Sequence, residues 1–71
     1  MAKQLPIVNK VRELREQASG LTQAELGDAV GVTRQTIAAI EQRRYSPSLE
    51  TAFKISNVFG VGIEEVFAWE E

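Results

Sequence analysis

Two side chains near the middle of the chain, Arg34 and Gln35, carry the hydrogen-bonding groups that read base edges in duplex DNA. Arginine can donate two hydrogen bonds to guanine O6 and N7, and glutamine can pair in the same bidentate way with adenine N6 and N7. At 100° per residue, both share one arc of a predicted helix with Ala38, Ala39 and Gln42. The two alanines keep that arc thin enough for a major groove about 12 Å wide. A solvated helix face is the alternative, so the surrounding elements decide the interpretation.

The chain lacks the residues that most catalytic and metal sites use. Its 71 residues include no cysteine and no histidine, which excludes a disulfide framework, thiolate or imidazole metal ligands and the usual nucleophile–base pairs. A chain of this size buries only about 60% of its unfolded surface, so a large substrate cleft is hard to build. We therefore expect one small domain that is not an enzyme and has no metal or cofactor.

Helical periodicity dominates the sequence, and no strand pattern extends beyond a few residues. Five short helices are predicted, over residues 8–18, 23–30, 34–42, 49–59 and 63–67. Thr22, Thr33 and Ser48 are expected as N-caps, and glycines end three of the helices. The predicted fold is an all-α domain over residues 8–67, between an N-terminal tail of residues 1–7 and a C-terminal tail of residues 68–71.

The most informative stretch runs from Gln23 to Gln42 and reads QAELGDAVGVTRQTIAAIEQ. Two predicted helices are joined there by a three- to four-residue turn that contains a glycine, which is typical of a helix-turn-helix. Gly27 is small where the two helices must cross closely, and Gly31 supplies the positive φ that reverses the chain. Val32 fills the turn between them.

The longer stretch LTQAELGDAVGVTRQTIAAIE resembles the phage repressor and Cro-type helix-turn-helix family, also called the xenobiotic-response-element (XRE) family. The resemblance covers residues 8–67 and implies a repressor-like fold of five helices. It also implies a transcriptional regulator that binds the major groove of a double-stranded DNA operator. We expect a repressor, and an activator is the alternative. The family's base contacts map onto Thr33, Arg34, Gln35, Ala38 and Ala39.

Other polar residues are expected to hold the DNA backbone, which positions a protein without specifying sequence. In the family, the residue that opens the second helix often binds a phosphate, and that residue here is Gln23. The end of the third helix and the loop after it add Gln42, Arg43 and Arg44. Many members carry glycine where Arg43 stands, so this arginine is expected to cost about 1 kcal/mol in backbone strain. The alternative is that either Arg43 or Arg44 is only solvated and does not contact DNA.

The resemblance assigns a structural role to Arg15 and Glu41. Both lie at the margin of an apolar stripe, on two helices that the family packs together. We therefore expect a partly buried ion pair between the first and third helices rather than a direct contact with DNA.

The C-terminal end is predicted to form a dimer contact. Family members bind pseudo-palindromic operators as two-fold dimers, and large apolar side chains stand near the end of this chain. The residues expected at the seam of a homodimer are Ile63, Val66, Phe67 and Trp69. The alternative is that Trp69 folds back onto the core of its own chain.

Charge is distributed unevenly along the chain. Residues 1–44 hold seven basic and five acidic residues, whereas residues 45–71 hold one basic and five acidic residues. A basic half and an acidic half fit a domain that meets phosphate with one face. They also leave open an antitoxin or protein-bridging module that uses the same fold mainly for protein contacts. No leader, membrane span or small-molecule effector segment is visible, so we expect a cytoplasmic protein.

Overall fold

A computed structural model describes residues 4–70, and for Ala18 and Ser19 it describes the backbone only. Residues 1–3 of the predicted N-terminal tail and Glu71 of the predicted C-terminal tail lie outside this range. The helices are α1 (Val11–Leu14), which continues as one π-helical turn (Arg15–Ser19), α2 (Gln23–Val30), α3 (Arg34–Glu41), α4 (Leu49–Phe59) and α5 (Ile63–Val66). Two short strands are β1 (Ile7–Asn9) and β2 (Phe67–Trp69). None of the described helices is long and apolar enough to cross a membrane.

The predicted fold class of five short helices is confirmed, and side chains determine where the middle helices begin. Thr22 Oγ1 accepts a hydrogen bond from the Glu25 amide at 3.0 Å, and the Glu25 carboxylate accepts one from the Thr22 amide at 2.9 Å. Thr33 and Ser48 cap α3 and α4 through the same hydroxyl-to-amide contact. Each such cap stabilises its helix by about 1 kcal/mol.

The structure corrects the predicted start of the first helix and the end of the fifth. Residues 7–9 form β1, which pairs antiparallel with β2 in the register Ile7 with Trp69, Val8 with Ala68 and Asn9 with Phe67. Parts of both predicted tails therefore belong to this sheet, which joins the N-terminal end of the domain to its C-terminal end. The spacing of Val8 fits the apolar stripe of a helix, and a three-residue strand shows no period of its own. Only the pairing between opposite ends of the chain distinguishes the two conformations.

The end of the first helix also differs from the prediction. The Arg15 carbonyl accepts hydrogen bonds from the amides of Gly20 and Leu21, so the chain makes a wide turn before Gly20 ends it at φ 66°. This turn brings the Leu21 carbonyl within 3.0 Å of Arg15 Nη1. The irregular turn thus positions a charged side chain that packs against α3.

The hydrophobic core lies where the helices meet and includes one residue of α5. Its buried members come from all five helices: Val11, Leu26, Val30, Ile37, Ile40, Ile55 and Val66. Half-buried apolar side chains, including Leu14 and Phe67, pack around this cluster. Because α3 contributes two of these anchors, its opposite face is held at the surface.

Candidate nucleic-acid interface

The crossing of α2 and α3 depends on a glycine. A Cβ atom at Gly27 would lie 2.6 Å from the Val32 carbonyl oxygen, far inside van der Waals contact. The Val32 amide donates to the Gly27 carbonyl at 2.9 Å, and Gly31 reverses the chain at φ 81°. The predicted roles of both glycines are confirmed. Backbone contact, rather than flexible side chains, therefore determines the angle between the two helices.

The first turn of α3 presents polar side chains to solvent. Ile37 and Ile40 are buried beneath it, whereas Arg34 and Gln35 are exposed. Within residues 4–70, the side chains of Arg34 and Gln35 form no hydrogen bond or ion pair. Thr33 differs, because its hydroxyl caps the helix and lies 3.1 Å from the Thr36 hydroxyl. The side chains of Arg34 and Gln35 are thus available for bidentate hydrogen bonds, whereas the Thr33 hydroxyl also caps α3.

The two alanines predicted to contact bases lie in the second turn of α3. Ala38 and Ala39 are both half-buried. Their short side chains leave the surface of α3 low between the exposed residues at its start and Gln42 at its end. A helix with this profile can approach base pairs closely.

Arg15 and Glu41 form a bidentate pair between the end of the first helix and α3. Arg15 Nε lies 2.8 Å from Glu41 Oε2, and Nη2 lies 3.2 Å from Oε1. Their side chains are 10% and 5% exposed. The hydrogen bonds that Arg15 donates to Glu41 raise the pKa of the guanidinium above its usual value, although burial opposes this effect. The bidentate contact thus joins α3 to the end of the first helix.

Gln23, predicted to bind phosphate, joins this pair. Its side-chain amide donates to Glu41 Oε1 at 3.0 Å, so the amide nitrogen faces inward. The side chain is half-buried. The groups at this position that can still bind an anion are the backbone amides in the first turn of α2, where the helix dipole also favours negative charge.

The side chain of Arg43 is bound by the terminal segments of the chain. Its backbone has φ 59°, as expected at a position that favours glycine. Its Nε and Nη2 atoms donate to the Leu5 carbonyl oxygen at 3.1 and 2.6 Å, and the guanidinium also pairs with Glu70. The side chain is only 16% exposed. The left-handed backbone thus turns this side chain toward the terminal segments, and the predicted phosphate contact at Arg43 would have to replace these contacts.

Arg44 and Gln42 stay at the surface. Arg44 Nη1 donates to Gln42 Oε1 at 3.2 Å, and both side chains are exposed. A residue that sequence analysis missed lies nearby, since exposed Arg12 lines one polar cleft with Gln23 and Gln42. The only sequence signal for Arg12 is its position three residues before Arg15, which places both on neighbouring parts of one helix.

The comparison with known proteins decides the family. A family model of helix-turn-helix domains matches residues 11–66. The chain belongs to the helix-turn-helix family. Among its relatives is the uncharacterized HTH-type transcriptional regulator YgzD of Bacillus subtilis, 54% identical over 63 residues that cover 89% of this chain and 94% of that protein. An uncharacterized HTH-type transcriptional regulator of Methanocaldococcus jannaschii is 49% identical over the same shares of both chains.

A solved structure supports the fold of this helix-turn-helix protein. A candidate DNA-binding protein from Bacteroides fragilis aligns with a TM-score of 0.78, covering 87% of this chain and 98% of that chain at 18% identity. The predicted XRE-type resemblance is confirmed, and the protein is a regulator of the helix-turn-helix type.

The residues predicted at a dimer seam divide between the core and the surface of this helix-turn-helix domain. Val66 is 2% exposed and belongs to the core, so its predicted seam contact is corrected: a residue buried in its own domain has no surface to offer. Ile63 and Phe67 are half-buried, whereas Trp69 is 68% exposed. Trp69 therefore does not fold back onto the core.

Two further apolar side chains, which the sequence did not single out, are exposed on α4. Leu49 is 70% exposed and Phe53 is 48% exposed, although both belong to the apolar positions of α4. Leu49 lines an apolar cleft together with Ile7, Pro47, Ala52, Ile63 and Phe67. Periodicity identifies such residues as apolar, but it does not show that the packed domain leaves them uncovered.

Proposed function

We propose that this protein is a sequence-specific repressor that binds double-stranded DNA as a homodimer on a pseudo-palindromic operator. The carrying observation is the first turn of α3, where Arg34 and Gln35 are exposed and make no other side-chain contact among residues 4–70. Buried Ile37 and Ile40 anchor the helix beneath them. In this proposal α3 enters the major groove and these two side chains read bases, with Ala38 and Ala39 giving close approach and methyl contacts to thymine.

The phosphate contacts of the proposal come from both sides of α3. The first turn of α2, beginning at Gln23, offers backbone amides to one phosphate. Gln42 and Arg44 lie after the end of α3, and Arg12 is added because it shares the polar cleft with Gln23. Arg43 is left out, since its guanidinium is held by the terminal segments.

The homodimer follows from the small footprint of one domain. A single short helix covers a few base pairs and competes poorly with non-specific sites. Two domains related by a two-fold axis would place their reading helices about 34–36 Å apart, one turn of DNA. The proposed seam, which we call the α4–β2 surface, is centred on Leu49, Ile63 and Phe67, which line one apolar cleft. The exposed side chains of Phe53 and Trp69 complete it in this proposal.

Repression requires only that the bound dimer occupies its operator, whereas activation needs a further contact. The other candidate is an antitoxin or bridging module that uses the same fold mainly for protein contacts. That function would give no role to the exposed, uncontacted side chains of Arg34 and Gln35. These two residues therefore favour the DNA-binding function.

Selection from random duplexes tests this function directly. The purified full chain is mixed with a pool of random double-stranded DNA, and the retained duplexes are sequenced over several rounds. We expect an enriched inverted repeat whose half-sites are centred about one helical turn apart. Arg34→Ala serves as the matched control and should lose the enrichment of particular bases. Retention without any enriched sequence would overturn the proposal of a specific operator.

A further inference from the structure

A second groove, separate from the helix-turn-helix, lies between the start of α1, the two-stranded sheet and α5. Its volume is about 670 Å³. None of its lining residues belongs to α2 or α3. The DNA-binding proposal therefore leaves this groove unused.

The floor of the groove is apolar. It includes Val8 from β1, Leu14 from α1 and Val61 from the loop between α4 and α5, with Phe67 from β2. All four are half-buried, and Leu14, Val61 and Phe67 pack directly against the core. Because they keep part of their apolar surface in contact with water, covering this floor would release that water and stabilise a complex.

Acidic side chains surround this floor. Glu13, Glu64 and Glu65 line the groove, against a single lining cation, Lys10. Within residues 4–70, Glu13 and Glu64 form no ion pair or hydrogen bond through their carboxylates. Glu65 accepts a hydrogen bond from the Gly62 amide at 2.9 Å and is held in place by it. The groove thus combines an apolar floor with excess negative charge at its edge.

We infer that this acid-edged groove binds a basic amphipathic helix of a partner protein. Apolar side chains spaced three and four residues apart would lie on the floor, as in other helix-in-groove complexes. Lysine or arginine side chains on the flanks would meet Glu13 and Glu64, and this charge complementarity would favour basic partners and speed their association. DNA is disfavoured here, since its phosphates would face three carboxylates.

The groove contains none of the residues proposed to contact DNA, so one molecule can bind the partner and DNA at once. It shares only Phe67 with the proposed dimer seam. This inference extends the proposed function without depending on it. A domain that binds its operator with α3 would then hold a second protein at the groove, beside the promoter.

A designed peptide tests the groove without knowledge of the natural partner. The probe is a synthetic helix of about 14 residues, four turns, with leucine on one face and lysine on the flanks. Binding to the full chain is followed through backbone amide NMR shifts. We expect shifts clustered at Val8, Leu14 and Val61, and no binding by the same peptide with every lysine replaced by glutamate.

Matched variants separate the groove from general charge attraction. Glu13→Gln combined with Glu64→Gln should weaken peptide binding about tenfold, since two ion pairs are lost. Asp28→Asn combined with Glu50→Gln removes the same charge elsewhere and should leave binding unchanged. Equal weakening by both double variants, or peptide shifts confined to the α4–β2 surface, would overturn the inference. Shifts at the groove that grow with protein concentration without peptide would also overturn it, because they would assign the groove to a second copy. Operator binding is not measured in any arm, so failure here is distinct from failure of the DNA-binding proposal.

Discussion

The side-chain amide of Asn9 donates a hydrogen bond to the carbonyl oxygen of Ile40 at 2.8 Å, joining β1 to the last turn of α3. The same link continues through Leu5, whose amide donates to the Arg43 carbonyl at 3.1 Å. The terminal strands therefore hold the C-terminal end of the helix that presents Arg34 and Gln35. This relationship explains why a sheet of two short strands matters to the proposed interface.

The first prediction concerns Arg43. Replacing it with alanine removes charge-assisted hydrogen bonds to Leu5 and an ion pair with Glu70, and should lower the free energy of unfolding by about 1–2 kcal/mol. Glycine at the same position should be more stable than alanine by about 1 kcal/mol, because φ 59° favours glycine. Denaturant titration of both variants measures this. A variant as stable as the parent would show that the terminal segments are not held by this side chain.

The second prediction concerns base reading. Arg34→Ala and Gln35→Ala should each weaken binding to the selected operator by roughly 1–3 kcal/mol. Binding to random duplex DNA and the thermal midpoint should change little, since both side chains are exposed and make no other contact within the described chain. Fluorescence anisotropy on both kinds of DNA provides the comparison. Equal losses on operator and random DNA would remove these residues from base readout.

The third prediction concerns the pair of Arg15 and Glu41. Glu41→Ala leaves a buried guanidinium without its partner and should lower stability by about 3–5 kcal/mol. Glu16→Ala is the matched control, because its 3.5 Å pair with Arg12 is exposed and should contribute less than about 1 kcal/mol. Thermal unfolding followed by circular dichroism separates the two cases. Similar midpoints for both variants would indicate that the Arg15 pair does not hold α3.

The fourth prediction separates the arginines that meet phosphate from the one that does not. Arg12→Ala and Arg44→Ala should each flatten the slope of log affinity against log salt by about 0.9, on any DNA sequence. Arg43→Ala should leave that slope unchanged, because its side chain is directed toward Leu5 and Glu70. Salt titrations of random duplex binding give all three slopes. A flattened slope for Arg43→Ala alone would reverse the assignment.

The fifth prediction concerns the α4–β2 surface. Leu49→Asp and Trp69→Ser should convert the dimer to a monomer in sedimentation and weaken operator binding, while the helical circular-dichroism signal stays. Val58→Asp is the control, because this residue is 37% exposed on α4 but is not part of the proposed α4–β2 surface. If the parent protein sediments as a monomer at tens of micromolar, the surface does not form a stable dimer without DNA.

Much of the fold was predictable because its decisive constraints are local. A threonine followed three residues later by glutamate forms a capping box within one turn, as Thr22 and Glu25 do. Gly27 and Gly31 lie within the same short segment as the turn they permit. The apolar spacing of α3 places Ile37 and Ile40 inward whatever the rest of the chain does, so its outward face followed as well.

The remaining features depend on parts of the chain that only folding brings together. Val8 is equally compatible with a helix stripe and a strand, and its pairing with Ala68 decides between them. The sequence indicated backbone strain at Arg43, but only the folded chain shows that the left-handed backbone directs its side chain to the Leu5 carbonyl. Leu49 and Val66 are both apolar, yet one is exposed and the other buried, because burial depends on which neighbours the packed domain supplies. The sequence alone therefore determined the helix-turn-helix, whose contacts are short-range, whereas the tertiary structure decided the terminal sheet, the direction of Arg43 and the position of the exposed apolar surface.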